Sequence, residues 1–322
     1  MAVLDASGDP RVAETLTAYE PLITYLRSGK DAGQAAAIAE GWQHGEGDVL
    51  GWLNADDFLY PGALAAARRV LTERTDVDVV TGDSVFLDEK GRFTGFHPGV
   101  NVPDARILTS NPISQPSTFI RRSAIDRIGG INRDLHYTMD WDLWSRLHSA
   151  GCRFASHADC LSGVRIARGT KTMGFGAARR REVLNLIAPR ASAVRKAKVM
   201  IGFGLQYIDD RTGLVSRVLD AARDDKSGGD VEGRLVSLRA FKGPVKLPLV
   251  HYGNSLVNQL EIIGQGGAFG VTVQGAEAET AYAESVDGVA RLAVSMAPAE
   301  MIRLTLVPQG SAAIRLKSVA II

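Results

Sequence analysis

The chain has 322 residues, 45% of them hydrophobic, which is length for two domains and material for one or two cores. Its 37 Lys+Arg balance 36 Asp+Glu, which speaks against a nucleic-acid binder, and two cysteines, Cys152 and Cys160, exclude a disulfide scaffold and disfavour a Cys-rich zinc site. No secretory leader follows Met1 and no apolar run reaches the roughly 18–20 residues of a membrane span, so a cytoplasmic protein is expected, soluble or at most peripheral.

Residues 1–175 alternate strand-like and helix-like stretches. Residues 48–53 form a short apolar run that meets Asn54-Ala55-Asp56-Asp57. Pro61 then opens a helical stretch through Leu64, Ala67 and Leu71, since proline loses nothing at a first helical position. Residues 77–82 read as a buried strand, and 85–93 as a hairpin turning at Asp88-Glu89-Lys90-Gly91. Such alternation favours an α/β sheet with helices on both faces. Residues 176–230 read as a helical linker, broken at Pro189 and ending in Lys226-Ser227-Gly228-Gly229-Asp230. From 231 to 322 the period becomes two: Ile302, Leu304 and Leu306 alternate with Arg303 and Thr305, which predicts an antiparallel β-sandwich.

Four segments carry candidate chemistry. In residues 51–64 a strand ends in paired carboxylates, Asp56 and Asp57, at the sheet edge where open α/β sheets bind ligands. Adjacent carboxylates repel unless compensated, and a divalent ion bridging a diphosphate would do this; a turn with an aspartate capping the next helix is the plainer alternative. In residues 136–151, Leu143, Trp144, Leu147 and Ala150 recur at helical spacing, which puts Asp140 at a helix start, as an N-cap or as a base facing a cleft. In residues 111–130, Ser123 caps a short helix that Gly129-Gly130 ends, and Gln115 stands in a loop with no evident packing role. Arg165, Arg168 and Lys171 with Gly169 make a basic loop suited to phosphate or merely solvated.

In order and spacing these segments resemble the family 2 glycosyltransferases of the bacterial cell-surface polysaccharide branch. Residues 28–42 look like that family's Asp-x-Gly-Gln segment, 51–64 its metal and nucleotide motif, 114–122 its acceptor loop and 139–147 its catalytic acidic motif. The resemblance covers residues 1–175. It implies a mixed GT-A sheet, and a single in-line displacement with inversion at the sugar C1. It further implies Asp140 as base and Asp57 as ligand of Mg²⁺ or Mn²⁺. Asp56 would contact the ribose or the metal's water shell. Asp5, Asp31 and Gln34 would line the nucleotide pocket, Arg165 and Lys171 would approach the diphosphate, and Gln115, Trp141 and Asp142 would shape the acceptor side. The implied partners are a UDP- or dTDP-type sugar donor and a glycan or lipid-linked acceptor.

The chain departs from the family at three points. Val3-Leu4-Asp5 reads as the family's second strand, so a central strand is expected to be missing and two strand edges unpaired; a start placed too late or a gene fragment would explain this, a degenerate protein otherwise. Ala32 and Ala167 stand where the family has Arg and often His. The competing function is a non-catalytic glycan-binding or scaffold protein; the C-terminal domain lacks Trp, and Phe241, Tyr252, Phe269 and Tyr282 are its few aromatics. Residues 179–198 hold seven Arg/Lys and one Glu, either a solvated face or a peripheral contact with an anionic membrane.

Overall fold

Hydrophobic alternation along three strands sets the architecture of the N-terminal part. In the computed structural model the described residues are 1–87, 93–97, 99, 105–166, 176–189, 191–212, 240–241, 245–250, 257–274, 281–296, 301–311 and 314–321. Six strands form a mixed sheet: β3 (Val49–Leu50), β4 (Phe58–Leu59), β5 (Val79–Leu87), β6 (Phe93–His97), β7 (Thr118–Arg121) and β8 (Phe154–Arg165). Their order is β3-β7-β5-β8-β4, with β6 paired to β5. β5 and β8 run parallel, and the other pairs are antiparallel.

Successive residues on a strand face opposite ways. Val79, Ile120 and Phe154 therefore enter one apolar cluster with helices α2 (Gln34–His44), α4 (Arg122–Arg127) and α5 (Met139–Ser149). Their neighbours Val80, Phe119 and Ala155 face the other way, toward α3 (Ala63–Glu73). Helices thus cover both faces, as the sequence predicts.

Several local expectations shift. Residues 48–53 give a two-residue strand, because Gly51 to Leu53 turn away toward Asn54. α3 begins at Ala63 behind Gly62 (φ 85°), two residues after Pro61. α4 is capped by Arg121 without a side-chain bond, so Ser123 lies inside the first turn; Gly129 and Gly130 (φ 75° and 81°) end the segment as expected.

β1 (Ala2–Asp5) pairs in parallel with β2 (Tyr25–Ser28), and α1 (Pro10–Thr17) connects them. This two-stranded sheet is separate from the six-stranded one; among the described residues β2 is the sole partner of β1, and β7 the sole partner of β3. No residue from 1 to 34 is fully buried. α2 joins the two sheets, since Ala35, Ile38, Ala39 and Trp42 pack into the main core while Gly41 lies against Leu4 of β1.

After β8 come α6 (Ala177–Ile187) and α7 (Ala193–Thr212). The linker at 226–230 lies outside the described residues. The C-terminal residues form two four-stranded antiparallel sheets, β10-β15-β12-β13 and β14-β11-β16-β9, built from β9 (Ala240–Phe241), β10 (Val245–Val250), β11 (Val257–Gln265), β12 (Phe269–Gln274), β13 (Ala281–Glu284), β14 (Val289–Met296), β15 (Met301–Pro308) and β16 (Ile314–Ile321). Leu304 and Leu306 of one sheet and Leu260, Ile262 and Leu292 of the other share an apolar cluster that extends to Tyr60, Val85 and Leu87 of the N-terminal sheet.

Two adjacent arginines at the end of β7 tie helix ends to the sheet. A helix leaves its last four carbonyls without intrahelical partners. Arg122 donates to Trp42 O (2.9 Å), Gly47 O (2.9 Å) and Gly45 O, at and beyond the end of α2. Arg121 donates to Val77 O (2.7 Å), Leu71 O and Arg74 O, at the end of α3. Because a hydrogen bond from a charged donor contributes about 1.5–3 kcal/mol, Arg122→Ala is expected to destabilise the chain by about 2–3 kcal/mol in denaturant titration, and Arg122→Lys to recover only part.

Candidate active site

The paired carboxylates sit where the chain leaves β3, and one carboxamide organises them. Asn54 Oδ1 accepts from Gln34 Nε2 (2.7 Å), at the start of α2. Asn54 Nδ2 donates to Asp57 Oδ2 (3.1 Å) and Gln115 Oε1 (3.2 Å). Gln115 Nε2 in turn donates to Trp52 O (2.6 Å). Four residues from three of the sequence motifs are thus brought together. The backbone N–H of Asp57 closes the turn on Asn54 O (3.1 Å). Just beyond it the Phe58 ring lies against Gly163 of β8, where a Cβ would come within 2.0 Å of the ring.

Gln115 opens a short 3-10 turn, Gln115–Ser117, fixed from beneath by buried hydroxyls. Ser84 Oγ lies 2.6 Å from Ser114 Oγ and 2.8 Å from both Ser117 Oγ and Ser162 Oγ; Ser117 also donates to Asp83 O (2.7 Å). Buried hydroxyls need partners, and these four supply each other, which explains the position of Gln115.

Asp57 is partly buried and Asp56 exposed. Burial, with the charge of Asp56 adding, pushes the Asp57 carboxyl up to about 6, against the hydrogen bonds from Asn54 and from the backbone N–H of Arg165. A carboxylate so placed is short of positive charge. Among the described residues no group of three or more His, Cys, Asp or Glu makes a protein-only metal site. Two carboxylates at a sheet edge suit instead a hard divalent ion that takes its remaining ligands from water and phosphate oxygens.

Asp140 is in the first turn of α5, behind Thr138 in the cap position. It does not cap the helix. Its Oδ1 accepts from the Trp141 backbone N–H (2.7 Å) and its Oδ2 from Asn111 Nδ2 (2.8 Å). Burial raises its carboxyl above the usual carboxylate range, opposed by the Trp141 N–H, by Asn111 and by the charge of Arg179. The helix is tied to the Asp57 segment through stacked indoles. The Trp52 and Trp144 rings lie 5.8 Å apart at 17°, and Trp42 meets Trp52 edge-on at 5.6 Å.

The other expected residues divide. Trp141 is 2% exposed and donates from Nε1 to Ile107 O (2.6 Å). Asp142 is buried and accepts from Arg146 Nε (2.7 Å), while Arg146 reaches Ile128 O and Gly130 O. Both side chains are thus occupied with holding α5 against its neighbours. Asp5, at the end of β1, accepts from Ser7 N (2.9 Å), and its carboxyl is held below the usual value by hydrogen bonds from Ser7 and Ser28. Asp31 accepts from Gly33 N (2.9 Å) and lies 3.7 Å from Arg27. These two stand on the β1–β2 side, connected to Asn54 through α2. The Arg165 side chain is exposed; Ala167, Arg168 and Lys171 lie outside the described residues.

Sequence reasoning singled out neither Asn54 nor Asn111, although both stand inside its motifs. It also passed over Glu182, which accepts from the backbone N–H groups of His136, Tyr137 and Thr138 ahead of α5. One signal was available: Glu182 is the single acid in the basic stretch 179–198.

Comparison with known proteins follows this geometry. Residues 2–129 match the family model for glycosyl transferase family 2. The O-antigen biosynthesis protein RfbC of Myxococcus xanthus is 28% identical over 155 residues, 47% of this chain and 12% of the relative, so the chain spans about an eighth of that protein's length. Among solved structures, S. aureus TarS 1-349 in complex with UDP is 14% identical with a TM-score of 0.44, over 65% of this chain and 61% of that one. The mannosyltransferase PcManGT of Pyrobaculum calidifontis, in complex with GDP-Man and Mn2+, is 16% identical with a TM-score of 0.41, over 70% and 66%. This chain covers less than two thirds of each of those two structures. Residues 2–129 therefore resemble glycosyl transferase family 2, and they lie in the part of the chain that carries a mixed sheet covered by helices on both faces.

Proposed function

We propose that the chain transfers a sugar, with inversion, from a UDP- or dTDP-type donor to a hydroxyl of a glycan or lipid-linked acceptor in polysaccharide biosynthesis. The observation that carries this reading is the Asn54 relay, which joins Gln34, Asp57 and Gln115 at one sheet edge and connects through Trp52 and Trp144 to the helix bearing Asp140.

In this mechanism Asp140 takes the proton of the acceptor hydroxyl as that oxygen attacks the sugar C1 and the bond from C1 to the diphosphate breaks. Burial raises its proton affinity, the direction that makes a carboxylate a stronger base, and Asn111 fixes its orientation. Asp57, with Asp56, would hold Mg²⁺ or Mn²⁺, which supplies charge neutralisation on the departing diphosphate. Asp5, Asp31 and Gln34 serve the nucleotide, and Arg165 and Lys171 the diphosphate. Gln115, Trp141 and Asp142 act on the acceptor side by holding the backbone around it.

The proposed division is a transferase domain over 1–175, a helical linker over 176–230 and a β-sandwich over 231–322. The proposed setting is the cytoplasmic face of the plasma membrane. No described helix is long and apolar enough to cross a membrane. The apolar side of α6 is used internally, because Val183, Leu186 and Ile187 pack on Trp141. The membrane contact proposed for 179–198 would then fall on α7, where exposed Val194 and Lys198 follow one stripe beside Arg195.

Three outcomes are expected. In an assay of Mn²⁺-dependent nucleotide release from UDP- and dTDP-sugars with polysaccharide acceptors, Asp140→Asn is expected to lower turnover by about 10²–10⁴ while nucleotide binding persists; unchanged turnover would remove Asp140 as base. Because the folded Asp57 carboxyl is raised to about 6, protons compete with metal below that pH. Mn²⁺ affinity is therefore expected to fall as pH drops from 7.5 through 6, and Asp57→Asn to abolish both the affinity and its pH dependence. Phosphatidylglycerol vesicles are expected to co-sediment the chain at low salt, with loss at high salt or on Arg195→Glu with Lys198→Glu.

A further inference from the structure

The turn ahead of α5 is held from outside the sheet, by α6. Glu182 Oε1 accepts from His136 N (3.0 Å), and Oε2 accepts from Tyr137 N (2.8 Å), Thr138 N (3.1 Å) and Thr138 Oγ1 (3.2 Å). A helix N-terminus has unpaired N–H groups and a dipole that favours an anion. α5 receives that anion from a different helix. One turn earlier on α6 stands Arg179, whose Cζ lies 5.3 Å from the centroid of the Phe203 ring on α7. Phe203 lies 6.2 Å from Trp141, the residue after Asp140. Val183, Leu186 and Ile187 pack on Trp141 and join the two helices there.

We propose that Arg179 and Glu182 are positioning residues of the transfer site, Glu182 fixing the turn that leads into α5 and Arg179, seated on the Phe203 ring that meets Trp141, supplying a cation near Asp140. The inference deepens the function proposed above and rests on Asp140 acting as its base. It places a working part of the site in α6, beyond residue 129 where the family match ends, and in a stretch whose composition suggests only a solvated or membrane-facing surface.

The physical need is specific. A carboxylate in dry surroundings drifts toward its protonated form, which cannot take the acceptor's proton. A guanidinium nearby favours the ionised form. The charge of Arg179 opposes the effect of burial on Asp140, whose side-chain hydrogen-bond partner Asn111 is neutral, and the Glu182 carboxylate is engaged by four donors.

The test uses the full chain labelled with ¹³C at its aspartate carboxyls, the Asp140 signal being identified by its loss in Asp140→Asn. Arg179→Ala is expected to raise the midpoint of the Asp140 titration, and Arg179→Lys to restore most of it. Glu182→Ala is expected to speed hydrogen exchange at the Tyr137 and Thr138 amides by about tenfold or more, with amides of α7 unchanged. Glu182→Gln, which keeps one acceptor oxygen, gives a smaller acceleration and serves if the alanine variant does not fold. An unmoved midpoint in Arg179→Ala overturns the role of Arg179, and unchanged exchange in the Glu182 variants overturns that of Glu182. Neither readout depends on turnover. Full sugar transfer by Asp140→Asn would instead overturn the base on which the inference rests, so the two can fail separately.

Discussion

The orientation of one carboxamide constrains the whole candidate site. Asn54 accepts on Oδ1 and donates twice from Nδ2, so the relay works in a single sense: Gln34 gives, Asp57 and Gln115 receive. An aspartate of the same shape could accept from Gln34, but it would turn a second charge on Asp57, whose carboxyl already resists ionisation. The amide thus lets a carboxylate stand at a partly buried strand end without a permanent cation. It also keeps that carboxylate in a state that a divalent ion would relieve.

Rigid anchors around the relay come from residues far apart in the chain. The serine cluster holds the turn that presents Gln115. The indoles of Trp42, Trp52 and Trp144 link α2, the carboxylate segment and α5 through ring contacts that need no hydrogen bond to keep their spacing. Arg121 and Arg122 satisfy helix-end carbonyls on opposite faces of the sheet. Each device meets a polar or packing requirement locally, and together they bring two carboxylate-bearing segments to one region.

Much of this was legible in the sequence, and the boundary is physical. Strand and helix alternation, the 85–93 hairpin and the change to period two after residue 231 depend on local patterning, and all recur in the fold where residues are described. The motif order pointed to the family model that residues 2–129 match and to the candidate carboxylates. Roles that depend on distant partners did not show. Asp140 in a first turn reads as a cap, yet Glu182 from α6 serves the preceding amides instead. Arg121 and Arg122 read as part of an acceptor loop, yet their partners are backbone carbonyls, which no side-chain pattern reveals. Trp141 and Asp142 stand in an acidic motif but face the interior, because a helix at this position must bury one side.

The central claim is that the Asn54–Asp57 edge is a nucleotide site completed by a divalent ion. Calorimetric titration of UDP into the full chain, with and without Mn²⁺ and beside Asp57→Ala, tests it most directly. The account expects binding that requires Mn²⁺ and disappears with the substitution. Binding that ignores the metal or survives Asp57→Ala, or no binding by the folded chain, would contradict it.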